Sequence, residues 1–288
     1  MHEHRPLLGI GLMLAAVMCF AALDATSKHL SQTFSVPLLV WARYLFHFLL
    51  MLIFLGPRLG LGLVRTRRPV ANVFRAIMLT GVTGFAMAAF RTMPLAETTA
   101  LLFVTPLIVA LLAGPVLGER VGTVRWLAVL AGFCGMLLIA RPGGELSTTG
   151  VLWTLAAAAC YTAYQLQTRQ LAATENTWTM LFYTALVGTV LMTLALPLFW
   201  DGPAPTWSQI ALICTLGLYG GSGHYLLIRA FRYARASTLS PFLYAQLVWA
   251  MLLGWLVYGH WPDHTSLIGM TIIASSSLLM AAWERRRR

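Results

Sequence analysis

Ten segments of about 20 mostly apolar residues, separated by short linkers, occupy nearly the whole chain. They run over 7–29, 35–56, 71–91, 95–117, 122–140, 149–170, 177–199, 207–230, 236–258 and 265–283. A helix of that length crosses a bilayer core about 30 Å thick. Within the core, only structures that satisfy their own backbone hydrogen bonds are viable. The expected fold is therefore all-α and integral to the membrane, with ten transmembrane helices and no room for a soluble domain. The first segment, with Arg5, an apolar run and an Ala-rich stretch up to Asp24 and Ala25, has the outline of a signal peptide. The repeat described below argues that it is retained as a helix.

Composition excludes the soluble alternatives. Apolar residues make up 59% and charged residues 10% of the chain, against about 45–50% and about 25% in soluble domains. A disordered chain, a nucleic-acid module and an ordinary cytosolic enzyme are all excluded. The net charge of +11 comes mainly from basic residues in and beside the short segments between the apolar runs, where it reports orientation. With the N-terminus in the cytoplasm, sixteen of the 20 Lys and Arg residues fall inside, Arg75 among them. Lys28, Arg91 and Arg141 fall outside, and Arg43 lies within a span. Both termini are then cytoplasmic. Cys19, Cys134, Cys160 and Cys214 sit inside apolar runs without CxxC spacing and read as small buried hydrophobes.

Shifted by 141 residues, the sequence partly overlays itself. Gly9 meets Gly150, Cys19 meets Cys160, Met51 meets Met192 and Phe90-Arg91 meets Phe231-Arg232. Leu111-Leu112 meets Leu252-Leu253, and Gly118 meets Gly259. The units are 1–147 and 148–288, with five spans each. An odd number of spans makes the second copy enter the membrane from the opposite side, giving a 5+5 inverted-topology repeat. Many secondary transporters share that construction and hold substrate near the midplane between the halves.

The end of the first unit carries a more specific pattern. It runs Met93-Pro94-Leu95-Ala96, then Thr105-Pro106 in mid-helix, Leu117-Gly118-Glu119-Arg120, and Gly132 and Gly135. With the ten spans and the repeat, this resembles the drug/metabolite transporter superfamily and its EamA-type exporters. The nearest subgroup is the bacterial aromatic amino acid and paraquat exporters. The second unit departs from the pattern: Pro106 becomes Leu247, Glu119 becomes His260 and Gly135 becomes Ser276. The resemblance implies a central cavity, alternating access, and fifth and tenth spans at the periphery, where they can support a homodimer. Ala128 with Gly132, and Ala131 with Gly135, form a small-xxx-small pattern suited to helix contact.

Polar residues inside spans mark the path. Tyr161, Tyr164, Gln165 and Thr168 share one face of the sixth span. Their counterparts in the first span are Phe20, Leu23, Asp24 and Ser27. Such a face points to protein or water rather than lipid. The ninth span presents Ser237, Ser240, Pro241 and Tyr244, followed by Gln246 and Trp249, opposite Phe103 of the fourth. Pro241 would free a backbone carbonyl. The eighth span carries Tyr219 and His224 in a glycine-rich stretch, Gly217 to Gly223. Substrate contact is expected from Tyr161, Tyr164, Gln165, Tyr219, His224, Tyr244, Gln246, Trp249 and Phe103. Helix–helix hydrogen bonding explains several of them equally well. Asp24 and Arg43 are expected to interact as an ion pair or gate. Glu97 reads as a helix-end charge, with Arg91 as a partner across the loop. His47 reads as a peripheral packer.

These features favour a secondary transporter exporting small metabolites, most of all aromatic or other neutral amino acids. Efflux of cationic compounds is the alternative. Phosphorylated substrates are disfavoured because only Arg43 is deep in a span. No GxxxxGK[ST] loop occurs, so nothing points to ATP, and neither a cofactor nor a metal is expected. The expected partners are a small molecule and the lipid bilayer, with no nucleic acid. Gly220-Gly221-Ser222-Gly223 matches the GxSG pattern of intramembrane serine proteases. His224, two positions on, points about 200° away from Ser222 on a helix and is badly placed as its base. A scaffold or sensor without transport has no positive feature.

Overall fold

The computed structural model describes residues 6–117, 123–141, 146–171, 174–199, 203–233, 239 and 242–286. Gly118, Glu119 and Arg120 of the family-like turn, and Arg235, Ser237, Ser240 and Pro241, lie outside them. The described residues form eleven α-helices: α1 (Pro6–Ser31), α2 (Val36–Leu59), α3 (Pro69–Thr92), α4 (Leu95–Leu102), α5 (Thr105–Leu117), α6 (Thr123–Ala140), α7 (Thr148–Leu171), α8 (Thr177–Phe199), α9 (Trp207–Tyr233), α10 (Ala245–Tyr258) and α11 (His264–Arg286). The helices α4 and α5 share the fourth expected span, so the helices account for ten spans. Five of them, α1, α2, α3, α8 and α9, are long and apolar enough to cross a membrane unaided, and α4 to α6, α10 and α11 contribute shorter apolar stretches. The helix α7 qualifies as neither, because it carries Thr154, Thr162 and the tyrosine–glutamine face inside.

Helix boundaries follow local chemistry. Pro37 and Pro69 lie in the first turns of α2 and α3, where a missing N–H costs nothing. The fourth span is not one helix as expected. It breaks after Leu102, and Pro106 falls in the first turn of α5; proline starts a helix more readily than it sits inside one. The helix α10 begins after Tyr244, the 141-residue counterpart of Phe103, so both units interrupt this span at the same place. It ends on Gly259 at φ 64°, with the His260 N–H bonded to Gly254 O at 3.1 Å. That left-handed turn favours glycine and folds the chain back over the helix end.

The helices pack in exchanged pairs. The helix α1 lies along α9 as α7 lies along α3, and α2 meets α9 as α8 meets α3. The counterparts α2 and α8 pack together, as do α6 and α11. The helix α1 finishes where Lys28 reaches Phe90 and Met93, at what is here called the far end. The opposite, basic end carries Arg58, Arg65, Arg67 and Arg68. The helix α7 starts against Met93 and is followed, at the basic end, by Glu175, which takes the Thr66 hydroxyl at 2.6 Å. The counterparts α1 and α7 therefore run in opposite directions.

The exterior is apolar, as a lipid-facing surface requires: Leu127, Leu194, Leu198 and Leu279 are all well exposed. Cys134 lies on that surface rather than inside, contrary to expectation. Gly132 and Gly135 are taken up within the chain. A Cβ on Gly135 would fall 2.7 Å from Gly269 O, so the backbones of α6 and α11 touch there. The outward side of α6 carries Trp126, Leu127, Leu130 and Phe133 instead.

Candidate substrate site

Side chains from α1, α2, α3, α7, α9 and α10 converge on a polar core. Asp24 of α1 accepts a hydrogen bond from Gln246 Nε2 of α10 at 3.1 Å. No ion pair within 4 Å joins Asp24 to Arg43; the pair expected from the sequence is an electrostatic neighbour instead. The Arg43 guanidinium lies 5.8 Å over the Tyr44 ring. It is partly buried, makes no hydrogen bond among the described residues, and its charge also bears on His47 and His224.

Tyr44 is buried and bonds Leu79 O at 3.0 Å and Thr83 Oγ1 at 2.9 Å. Tyr161 and Tyr164 stack with centroids 5.9 Å apart, and Gln165 lies within bonding reach of the Tyr161 hydroxyl. The Thr168 hydroxyl is spent on Tyr164 O, one turn back along its own helix. Phe103 and Tyr244, the two helix-break residues, touch with centroids 4.9 Å apart.

Three expected positions stand elsewhere. Tyr219 packs on the apolar cluster around Leu23, Leu38 and Leu216. Trp249 packs on Met13, Val17 and Ala230. His224 meets Phe20 edge-on at 5.1 Å and faces His47 at 6.3 Å with the rings nearly parallel. His47 is thus a buried neighbour of the core rather than a peripheral packer. Ser222 lines the same cleft as both histidines but donates to neither.

Arg75 was missed by sequence reasoning, which counted it among the charges of the cytoplasmic side. It is 2% exposed, donates to Thr184 Oγ1 at 3.1 Å, and sits 4.8 Å over the Tyr164 ring. Its Nε has no partner. Asn72, Arg75, Ala76, Leu79 and Thr83 are all buried at i, i+3, i+4, i+7 and i+11, so helical spacing places Arg75 on the inner stripe of α3. The core therefore holds two guanidinium groups, Arg43 and Arg75, not the single deep one expected from the sequence.

At the far end, Lys28 Nζ donates to Phe90 O at 2.8 Å and to Met93 O. Tyr258 donates to Ala25 O at 2.6 Å. Glu97 is 2% exposed and pairs with His260 Nε2 at 3.0 Å, not with Arg91.

A ten-span helical protein of two five-helix units around such a core is a membrane transporter by class. The chain belongs to the EamA-like transporter family, whose model matches residues 7–141 and again 148–282. It is 26% identical to an S-adenosylmethionine uptake transporter of Rickettsia bellii, over 97% of this chain and 95% of the relative. It is 30% identical to a riboflavin transporter of Rhizobium johnstonii, over 98% and 94%. It is 27% identical to a pseudopaline exporter of Pseudomonas aeruginosa, over 95% of each. A solved crystal structure shares the fold at TM-score 0.64 and 22% identity, covering 95% of this chain and 98% of that one. The relatives' names include both uptake and export, so membership means small-molecule transport without singling out amino acids.

Proposed function

We propose that the protein is a secondary transporter of the bacterial plasma membrane that exports aromatic metabolites with a zwitterionic head, aromatic amino acids foremost. Both termini are cytoplasmic in this reading, since fifteen of the 20 Lys and Arg residues then lie inside once Arg75 is assigned to the core. Units 1–147 and 148–288 act as an inverted pair and rock about the core, opening it to alternate sides.

The carrying observation is the Arg43 guanidinium, partly buried and without an acceptor among the described residues, whose charge bears on an Asp24 bonded by Gln246. A guanidinium without an acceptor suits a carboxylate, and Asp24 suits an ammonium. The Tyr161–Tyr164 and Phe103–Tyr244 pairs offer flat faces to a ring. Riboflavin and S-adenosylmethionine, for which two relatives are named, both carry flat heteroaromatic systems. Arg43 and Arg75 oppose an aromatic dication by like charge.

The test is uptake into proteoliposomes of labelled L-tryptophan, L-leucine and methyl viologen, with and without a pH gradient. Tryptophan uptake should saturate. Arg43→Gln should lower it by at least about tenfold at equal protein content, as expected for one charge-assisted bond. Methyl viologen moving in place of tryptophan would replace this reading with cation efflux.

A further inference from the structure

The helices α2 and α9 touch at Gly217, where an added Cβ would fall 2.3 Å from Phe46 Cβ. One turn on, the contact has loosened. A Cβ on Gly221 would stand 3.6 Å from the His47 ring and 3.7 Å from Leu50. Beyond that point a cleft of about 350 Å³ opens between α2, α8 and α9 toward the basic end. Its walls are aliphatic and aromatic. His47, Ser222 and His224 line its deep part, while Arg58, Trp178 and Tyr225 line the part toward the basic end. Trp178 and Tyr225 face each other with centroids 6.5 Å apart and planes 29° apart.

The lining describes its ligand. The volume lies at the lower end of small-molecule pockets, about 300–1,000 Å³. Aromatic walls suit a flat apolar body. An acyl chain would explain the walls but not two imidazoles and a hydroxyl at depth, since polar groups facing hydrocarbon are costly. A ligand with polar atoms of its own would use them. Arg58 adds a positive charge near the entrance. We propose that this cleft is a second small-molecule site, beside the Asp24–Arg43 core, that takes a planar heteroaromatic anion from the basic side. The proposal stands on the cleft's geometry and does not depend on the substrate assigned to the core.

The experiment is equilibrium binding of tritiated indole-3-acetate to the full-length protein in phosphatidylcholine nanodiscs. Saturable binding is expected. Tryptamine, with the same ring and the opposite charge, should compete at least about fivefold more weakly. Gly221→Leu, which fills the cleft, should remove binding. Trp178→Ala, at the partly exposed entrance, is the second variant in case Gly221→Leu does not fold, and should weaken binding about tenfold. Arg58→Gln should weaken it about threefold, because the residue is exposed. Equal competition by tryptamine, or full binding in both cleft variants, would overturn the proposal. So would retention of phosphatidylglycerol in native mass spectra that Gly221→Leu abolishes, because the cleft would then be a lipid site.

Discussion

The two ends of the helix bundle are built on related sequence but, among the described residues, are tied together in different ways. At the far end, charged and aromatic side chains bind helices directly: Lys28 holds two carbonyls at the end of α3, Tyr258 ties α10 to α1, and Glu97 of α4 holds His260. At the basic end the ties run through loops, from Thr66 and Arg67 to Glu175 and from Gly62 to Thr179. There α2 and α9 diverge after Gly217.

Substitutions can break this contrast, in order of expected effect. Lys28→Met removes both carbonyl bonds and the charge that acts on buried Glu97. Hydrogen bonds from a charged donor are worth about 1.5–3 kcal/mol each, so the far end should loosen by about 3 kcal/mol. Hydrogen exchange of the amides from residue 89 to residue 98 should rise while that of residues 46–50 stays unchanged. Protection at both ends falling together would mean that the contrast is not local. Tyr258→Phe removes one bond, to Ala25 O. A loss of about 1 kcal/mol is expected, read as a lower unfolding temperature in detergent.

The smallest effect lies at the start of α11. The Asp263 carboxyl is held down at about 2, first by the Ser266 backbone N–H, then by the Ser266 hydroxyl and Arg141. A group depressed on folding contributes stability above its unfolded value, about 4. That contribution is lost as pH falls from about 4 through about 2. Asp263→Asn should lower the unfolding temperature slightly at pH 7 and not at pH 2. An equal effect at both would remove the charge from the explanation.

How much of this was legible beforehand depends on the range of the interaction. The spans could be read because each is a local run of apolar residues, and the pairing of the halves because the 141-residue offset is constant. The break after Leu102 had a local sign in Pro106 that was taken for a feature within one helix. Arg75 was misplaced because a charge count along the chain ignores the face on which a residue falls. The His47–His224 pairing had no sign at all, since the two lie far apart in sequence and meet only through the packing of α2 on α9. Asp24 was located correctly in its span, but Gln246, 222 residues away, is its hydrogen-bond partner.

The Glu97–His260 contact bears on how the molecule rests between turnovers. Two identical halves in opposite orientation would give two end states of equal energy, a degenerate pair. Offset by 141 residues, Glu97 corresponds to Thr238 and His260 to Glu119. A carboxylate–imidazole couple on one side thus has a hydroxyl and a carboxylate as its twin. Lys28 corresponds to Arg169, a cation with a fork of donors in place of a point charge. The two units thus differ in their side chains at this contact, and in the alternating-access reading proposed above that difference removes the equality of the two end states.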